Sequence, residues 1–191
     1  MAQLAIRHYN IVKMAITTRK GDKGFTYLYW SGKVSKDNIR VETCGTLDEL
    51  CSFLGLAKGL ISEKRNKKLI ESIQKDLFVI GAEVATRAPF LGKLEKRIGN
   101  ADVQRLDKVL SSLEKTRTFD ECCFYLPGNV ISSSLDIART VCRRVERRIV
   151  TMKRKGLLLN KFVIIYLNRL SDLLYLLARS HEIKHIKSKQ G

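Results

Sequence analysis

Residues 132–153 read SSSLDIARTVCRRVERRIVTMK. Ala138, Val141, Cys142, Val145, Ile149 and Met152 recur at intervals of three and four, which places them on one stripe of an α-helix. No proline or glycine interrupts the run, so the spacing predicts a continuous helix. Round the helix from that stripe, Arg139, Arg143 and Arg147 form an i, i+4, i+8 row, with Arg144 and Glu146 beside them. Like charges four residues apart weaken a helix unless something negative lies against them. Carboxylates and phosphates would both serve, because arginine offers either a two-pronged contact. A solvated basic face accounts for the same spacing.

The same periodicity appears four more times. Leu47, Leu50, Leu54, Ala57 and Ile61 predict a first helix, whose start we place at Thr46-Leu47-Asp48-Glu49, the pattern of a capping box. Asp48 then lies in the first turn, where a carboxylate suits the helix dipole or an arginine partner. A second helix is predicted over 65–86, a third over 102–115 and a fifth, the most apolar, over 159–186. Pro89 and Pro127 both fall between these segments, where helical proteins tolerate proline. The fold class is therefore all-α, an up-and-down five-helix bundle. Residues 17–43 are irregular, with Thr26–Trp30 and Ile39–Glu42 as short extended pieces. We read 14–191 as a single domain and 1–13 as an N-terminal extension, with Met14 as a candidate start.

Composition narrows the function classes. Hydrophobic residues make up 45% of the 191, enough for one core. No apolar run approaches the ~20 residues of a membrane span, and no secretory h-region opens the chain. The odd set Cys44, Cys51, Cys122, Cys123 and Cys142 contains no Cys-x-x-Cys and fits a reducing, cytoplasmic setting. The net charge of +17 suits nucleic acid, a polyphosphate, or simply a charged surface. The arginines interleave with acids, and excess lysines sit at 64, 67 and 68 and at 184, 187 and 189, so no single nucleic-acid face is legible. The three histidines, 8, 181 and 185, lie at the extremes of the chain, away from every motif, which disfavours a histidine triad, zinc site or di-iron bundle.

Two further constellations carry chemistry. Thr17-Thr-Arg-Lys-Gly-Asp-Lys-Gly-Phe-Thr26 is a basic, hydroxyl-rich loop whose two glycines can turn backbone N–H groups toward an anion. It lacks P-loop spacing and reads equally as a solvated turn. In the fifth helix Asn168, Asp172, Tyr175 and Arg179 share a stripe among leucines, so they need partners, in a ligand or in a neighbouring helix.

Together the segments resemble the PduO-type ATP:cob(I)alamin adenosyltransferases. The matching stretches are TTRKGDKGFT (17–26), GTLDELCSFLG (45–55), IQKDLFVIGAE (73–83), FYLPG (124–128), ARTVCRRVERRIV (138–150) and YLNRLSDLLYLLAR (166–179), in family order. The resemblance implies a homotrimer with sites between subunits. It implies transfer of the 5′-deoxyadenosyl group of ATP, with Mg²⁺, to the cobalt of cob(I)alamin, leaving triphosphate. Thr17, Thr18, Gly21, Asp22, Lys23, Gly24, Thr26 and Lys36 match the nucleotide loop and its lysine. Arg143, Glu146 and Asn168 match residues at ATP, Arg139 would pair with Asp48, and Phe124 would pack beneath the corrin ring. A cobalamin reductase and an adenosylcobalamin-dependent enzyme are the partners it suggests. Three positions depart from the pattern: Asp136 replaces a usual His, Cys51 replaces Asn, and the loop after Pro127 is shorter. A binding-only relative, or a nucleic-acid module, is the competing reading.

Overall fold

A computed structural model of the chain describes residues 17–116 and 126–189, with side chains as far as Glu182. Phe124, Cys122, Cys123 and the extension 1–13 lie outside the described residues. An antiparallel hairpin, β1 (Phe25–Leu28) and β2 (Gly32–Ser35), precedes five helices: α1 (Ile39–Leu60), α2 (Lys64–Ala85), α3 (Asn100–Thr116), α4 (Val130–Arg154) and α5 (Lys161–Lys189). A 3₁₀ segment, Ala88–Lys93, takes Pro89 at its start. None of the described helices is long and apolar enough to cross a membrane.

α1 packs between α2 and α4, and α5 packs between α4 and α3. The stripes foreseen for α1 and α4 are buried throughout, from Leu47 to Ile61 and from Ala138 to Met152. Leu50, Leu54, Ile73, Ile80, Leu106, Val145, Leu170 and Leu174 are fully enclosed. Each such side chain contributes roughly 1.5–3 kcal/mol relative to exposure.

Two expectations need correction. The fold is not purely α, because 25–35 forms the hairpin: Gly32, at φ 77°, takes the left-handed conformation that its turn requires. And α1 begins at Ile39, not Thr46. Asn38 is the N-cap, its side chain accepting from Arg40 N at 2.9 Å. Ile39–Glu42 is the first helical turn, not an extended piece. Thr46 lies inside the helix and donates its hydroxyl to the Glu42 carbonyl at 2.8 Å, so the capping-box pattern there is coincidental.

Buried acids tie the bundle to its loops. Glu83, wholly enclosed on α2, accepts from Ile98 N at 2.7 Å, from Arg97 Nε at 3.2 Å and from Asn160 Nδ2. Unpaired, that carboxylate would be strongly destabilising, so its partners fix both loops at the end of α2.

Candidate functional site

The N-terminal loop is a succession of tight turns. Asp22 N donates to Arg19 O at 3.3 Å and Gly24 N to Gly21 O at 3.2 Å. Arg19 and Gly24 adopt positive φ, of 55° and 77°. Thr17, Thr18, Asp22, Lys23 and Gly24 are exposed, with Gly21 and Thr26 half-buried. Lys36 joins them: its N–H donates to Gly24 O at 2.9 Å, and a Cβ on Gly21 would come within 3.0 Å of its ammonium. A side chain at 21 would therefore push the Lys36 ammonium aside. The result is a basic, exposed succession of turns carrying Arg19, Lys20 and Lys23, with Lys36 against it and Asp22 as the one carboxylate of 17–26, suited to a polyanion.

A second group lies where α4 meets α5. Cys142 seats the two helices together, its thiol 3.4 Å from the Leu167 carbonyl. Burial, with Glu146 and Asp172 nearby, pushes that thiol far above its ordinary pKa, so it is neutral packing and not a nucleophile. Round from it stand Arg143, Glu146, Asn168 and Asp172. Desolvation raises the Asp172 pKa, with the charges of Arg169 and then Arg143 opposing. Asn168 accepts from Arg169 Nη1 at 3.1 Å, and Arg169 Nε reaches Asp107 on α3 at 2.8 Å.

The arginines of α4 divide by use. Arg144 pairs with Glu49 at 2.7 Å and Arg148 with Glu42 at 2.6 Å, both on α1. Arg139 donates to Asp136 at 2.9 Å. The expected Arg139–Asp48 pair is therefore not formed within the chain, and α4 is tied to α1 by the 144/148 row. The physical reason is local: Asp136 sits one turn before Arg139, while Asp48 is on an exposed face of α1. Desolvation alone raises the Asp48 pKa, and no ion pair reaches it among the described residues. Arg143 is exposed, and among the described residues no ion pair holds it.

Asp136 also accepts from Arg179, which is 1% exposed and has its guanidinium 5.6 Å from the Tyr175 ring. So half of the polar stripe of α5 serves packing, and Asn168 and Asp172 remain at the candidate site. Among the described residues, no hydrogen bond or ion pair joins the basic loop to the Arg143 group. Sequence reading missed Ser31 and Arg40, which anchor the hairpin. Arg40 carried a signal: a cation in the first turn of a helix opposes the dipole, so it needs a tertiary partner.

A family model described as cobalamin adenosyltransferase matches residues 16–181. A corrinoid adenosyltransferase of Citrobacter freundii is 40% identical over 169 residues, covering 87% of this chain and 94% of that one. The corrinoid adenosyltransferase PduO of Salmonella typhimurium is 36% identical over 174 residues, 88% of this chain and 50% of its own length. Among solved structures, a variant PduO-type ATP:corrinoid adenosyltransferase from Lactobacillus reuteri, complexed with cobalamin and ATP, superposes with a TM-score of 0.79 at 33% identity, over 86% of this chain and 89% of that one.

Proposed function

Because the chain belongs to the cobalamin adenosyltransferase family, we infer that its two basic groups are the halves of one adenosyl-transfer site. The activity is ATP-dependent adenosylation of cobalamin. The observation that carries the site assignment is the outer face of α4, where Arg143 and Arg147 are exposed and engaged in no ion pair among the described residues, while Arg139, Arg144 and Arg148 all are; of the two, Arg143 is the one whose charge acts on Asp172 of α5. Such a group is available to phosphate oxygens.

The reaction asks little acid–base chemistry of the protein. Cobalt(I) is the nucleophile; it attacks C5′ of ATP, the C5′–O bond breaks, and its electron pair leaves with triphosphate. The side chains hold C5′ over cobalt and neutralise the leaving group. Thr17, Thr18, Gly21, Asp22, Lys23, Gly24, Thr26 and Lys36 take the phosphates, with Arg143, Glu146 and Asn168 completing the nucleotide site. Mg²⁺ enters as part of the substrate, Mg-ATP. Among the described residues no cluster of three acidic, histidine or cysteine side chains could hold a cation by itself. Phe124 is assigned to the underside of the corrin, where an apolar ring keeps off a lower axial ligand and eases formation of cobalt(I).

That no hydrogen bond or ion pair joins the two halves among the described residues fits a trimer in which one subunit's loop meets its neighbour's α4 and α5. The exposed Asp48 carboxylate is assigned to the same site. A single domain over 14–191, cytoplasmic location, and docking of a cobalamin reductase and of an enzyme that consumes adenosylcobalamin complete the reading.

The test is anaerobic. Protein, chemically reduced cobalamin and Mg-ATP are mixed, and the cobalt(I) absorption band is followed against a protein-free control. Protein-dependent loss of the band, with light-sensitive adenosylcobalamin and triphosphate as products, is expected. A folded protein that leaves the band unchanged would reduce the assignment to binding alone.

A further inference from the structure

The hairpin turn is strained and is held from outside. Leu28 pairs with Gly32, and between them Trp30 sits at φ 51°. A bulky aromatic residue rarely adopts that conformation, and it persists only where the surroundings dictate it. The surroundings are the C-terminal end of α2. The Ser31 hydroxyl, 5% exposed, donates to the Ala85 carbonyl at 2.8 Å and accepts from Arg87 N at 2.8 Å. The Lys93 ammonium lies 4.4 Å from the Trp30 ring centre. Arg40, also buried, donates to the carbonyls of Val84 and Thr86 and, at 2.7 Å, to that of Leu157.

Three successive carbonyls, 84 to 86, are thus satisfied by side chains from the hairpin and the first turn of α1. Helix C-termini need such partners. Here the partners come from the segment that carries the basic loop. β2 leads directly into Lys36, and Lys36 in turn binds Gly24 and overlies Gly21.

We propose that Ser31, seconded by Arg40, is a positioning residue of the nucleotide site: it bolts the hairpin to α2 and thereby holds Lys36 and the 17–24 turns in their anion-binding shape before ATP arrives. The proposal rests on the reading that this loop takes the triphosphate. A loop ordered during folding does not have to be ordered again at binding, so cutting the bolt weakens ATP selectively.

Trp30 is the chain's one tryptophan and adjoins Ser31, so its fluorescence reports the hairpin directly. Wild type, Ser31→Ala, Ser31→Thr and Arg40→Lys are titrated with Mg-ATP while Trp30 emission and its quenching by acrylamide are followed. Initial rates are then measured against ATP and against cobalamin. Ser31→Ala and Arg40→Lys are expected to make Trp30 more quenchable and to raise the ATP KM about tenfold (about 1.4 kcal/mol), with the cobalamin KM within twofold. Ser31→Thr, which keeps the hydroxyl, returns toward wild type. A Ser31→Ala protein with lower thermal stability but unchanged ATP affinity would overturn the proposal, as would equal rises in both KM values. Wild type that binds Mg-ATP without turnover would sink the transfer reading while leaving the bolt to be judged by the titration.

Discussion

Tyr166 on α5 donates its hydroxyl to the Asp76 carboxylate on α2 at 2.7 Å, and both side chains are shut off from water. Arg105 of α3 shares that carboxylate, with Lys96 at 3.6 Å, so one acid joins three helices. Tyr166→Phe removes one buried hydrogen bond and is expected to cost about 1–2 kcal/mol in urea unfolding. The pH dependence has a definite sign. Burial first, then the Asp76 charge, raises the Tyr166 pKa above its ordinary value. The folded state therefore keeps a proton that the unfolded chain releases near pH ~10, so this contribution is intact below that pH and declines as pH rises beyond it. Tyr166→Phe should show a shallower alkaline loss of stability than wild type. Equal slopes would refute the assignment.

Asp136 stands between Arg139 and the buried Arg179. Asp136→Ala takes a carboxylate partner from both Arg139 and the buried Arg179, and a loss of up to about 3 kcal/mol is expected. Asp136→Leu combined with Arg179→Leu removes both charges and should be less damaging than Asp136→Ala alone. Calorimetric melting of wild type and the two variants decides it; a double variant that loses more than Asp136→Ala would show that the two residues do not act as a pair.

The start of α1 can be tested by its caps. Asn38→Ala removes the side chain that accepts from Arg40 N and should cost about 1 kcal/mol. Glu49→Ala, under the sequence pattern, would remove the other half of a capping box. Here it removes only a half-exposed pair with Arg144, so a loss within about 1 kcal/mol is expected. The reverse order of losses would restore Thr46 as the cap.

Arg143→Ala should lower kcat/KM by at least 100-fold, on the order of 3 kcal/mol of transition-state stabilisation, with the helical circular dichroism and subunit mass unchanged. Arg143→Lys keeps the charge but loses the planar fork, so an intermediate rate is expected. A variant with normal turnover would remove Arg143 from the site. Phe124→Ala should spare ATP binding and slow formation of cobalt(I), read from the cobalt spectrum.

The five helices were legible because each carries a long apolar stripe, and burying that stripe is the dominant favourable term. Ala138 to Met152 and Leu47 to Ile61 needed no partner to be identified. The basic loop and the Arg143 row were legible for a related reason, since charge left on a regular face has to meet something. Of the hairpin only the first strand was, as the extended piece Thr26–Trp30; its pairing with 32–35 and the first turn of α1 were not. Val34 and Ile39 belong to short segments with no period, and Arg40 opposes its own helix dipole. Only the carbonyls at the end of α2 and at Leu157, supplied from 44 to 117 residues away, make that arginine favourable. The partners of Asp136, Arg139 and Asp48 were likewise decided in three dimensions. Ion pairs are short-ranged and depend on which helix faces which, and the same arginine row is compatible with several carboxylates. Local spacing thus determined where the helices lie and which residues are chemically able. The packing of α1, α2, α4 and α5 decided which of those residues are already engaged, and so left Arg143 and Arg147 exposed without an ion pair among the described residues.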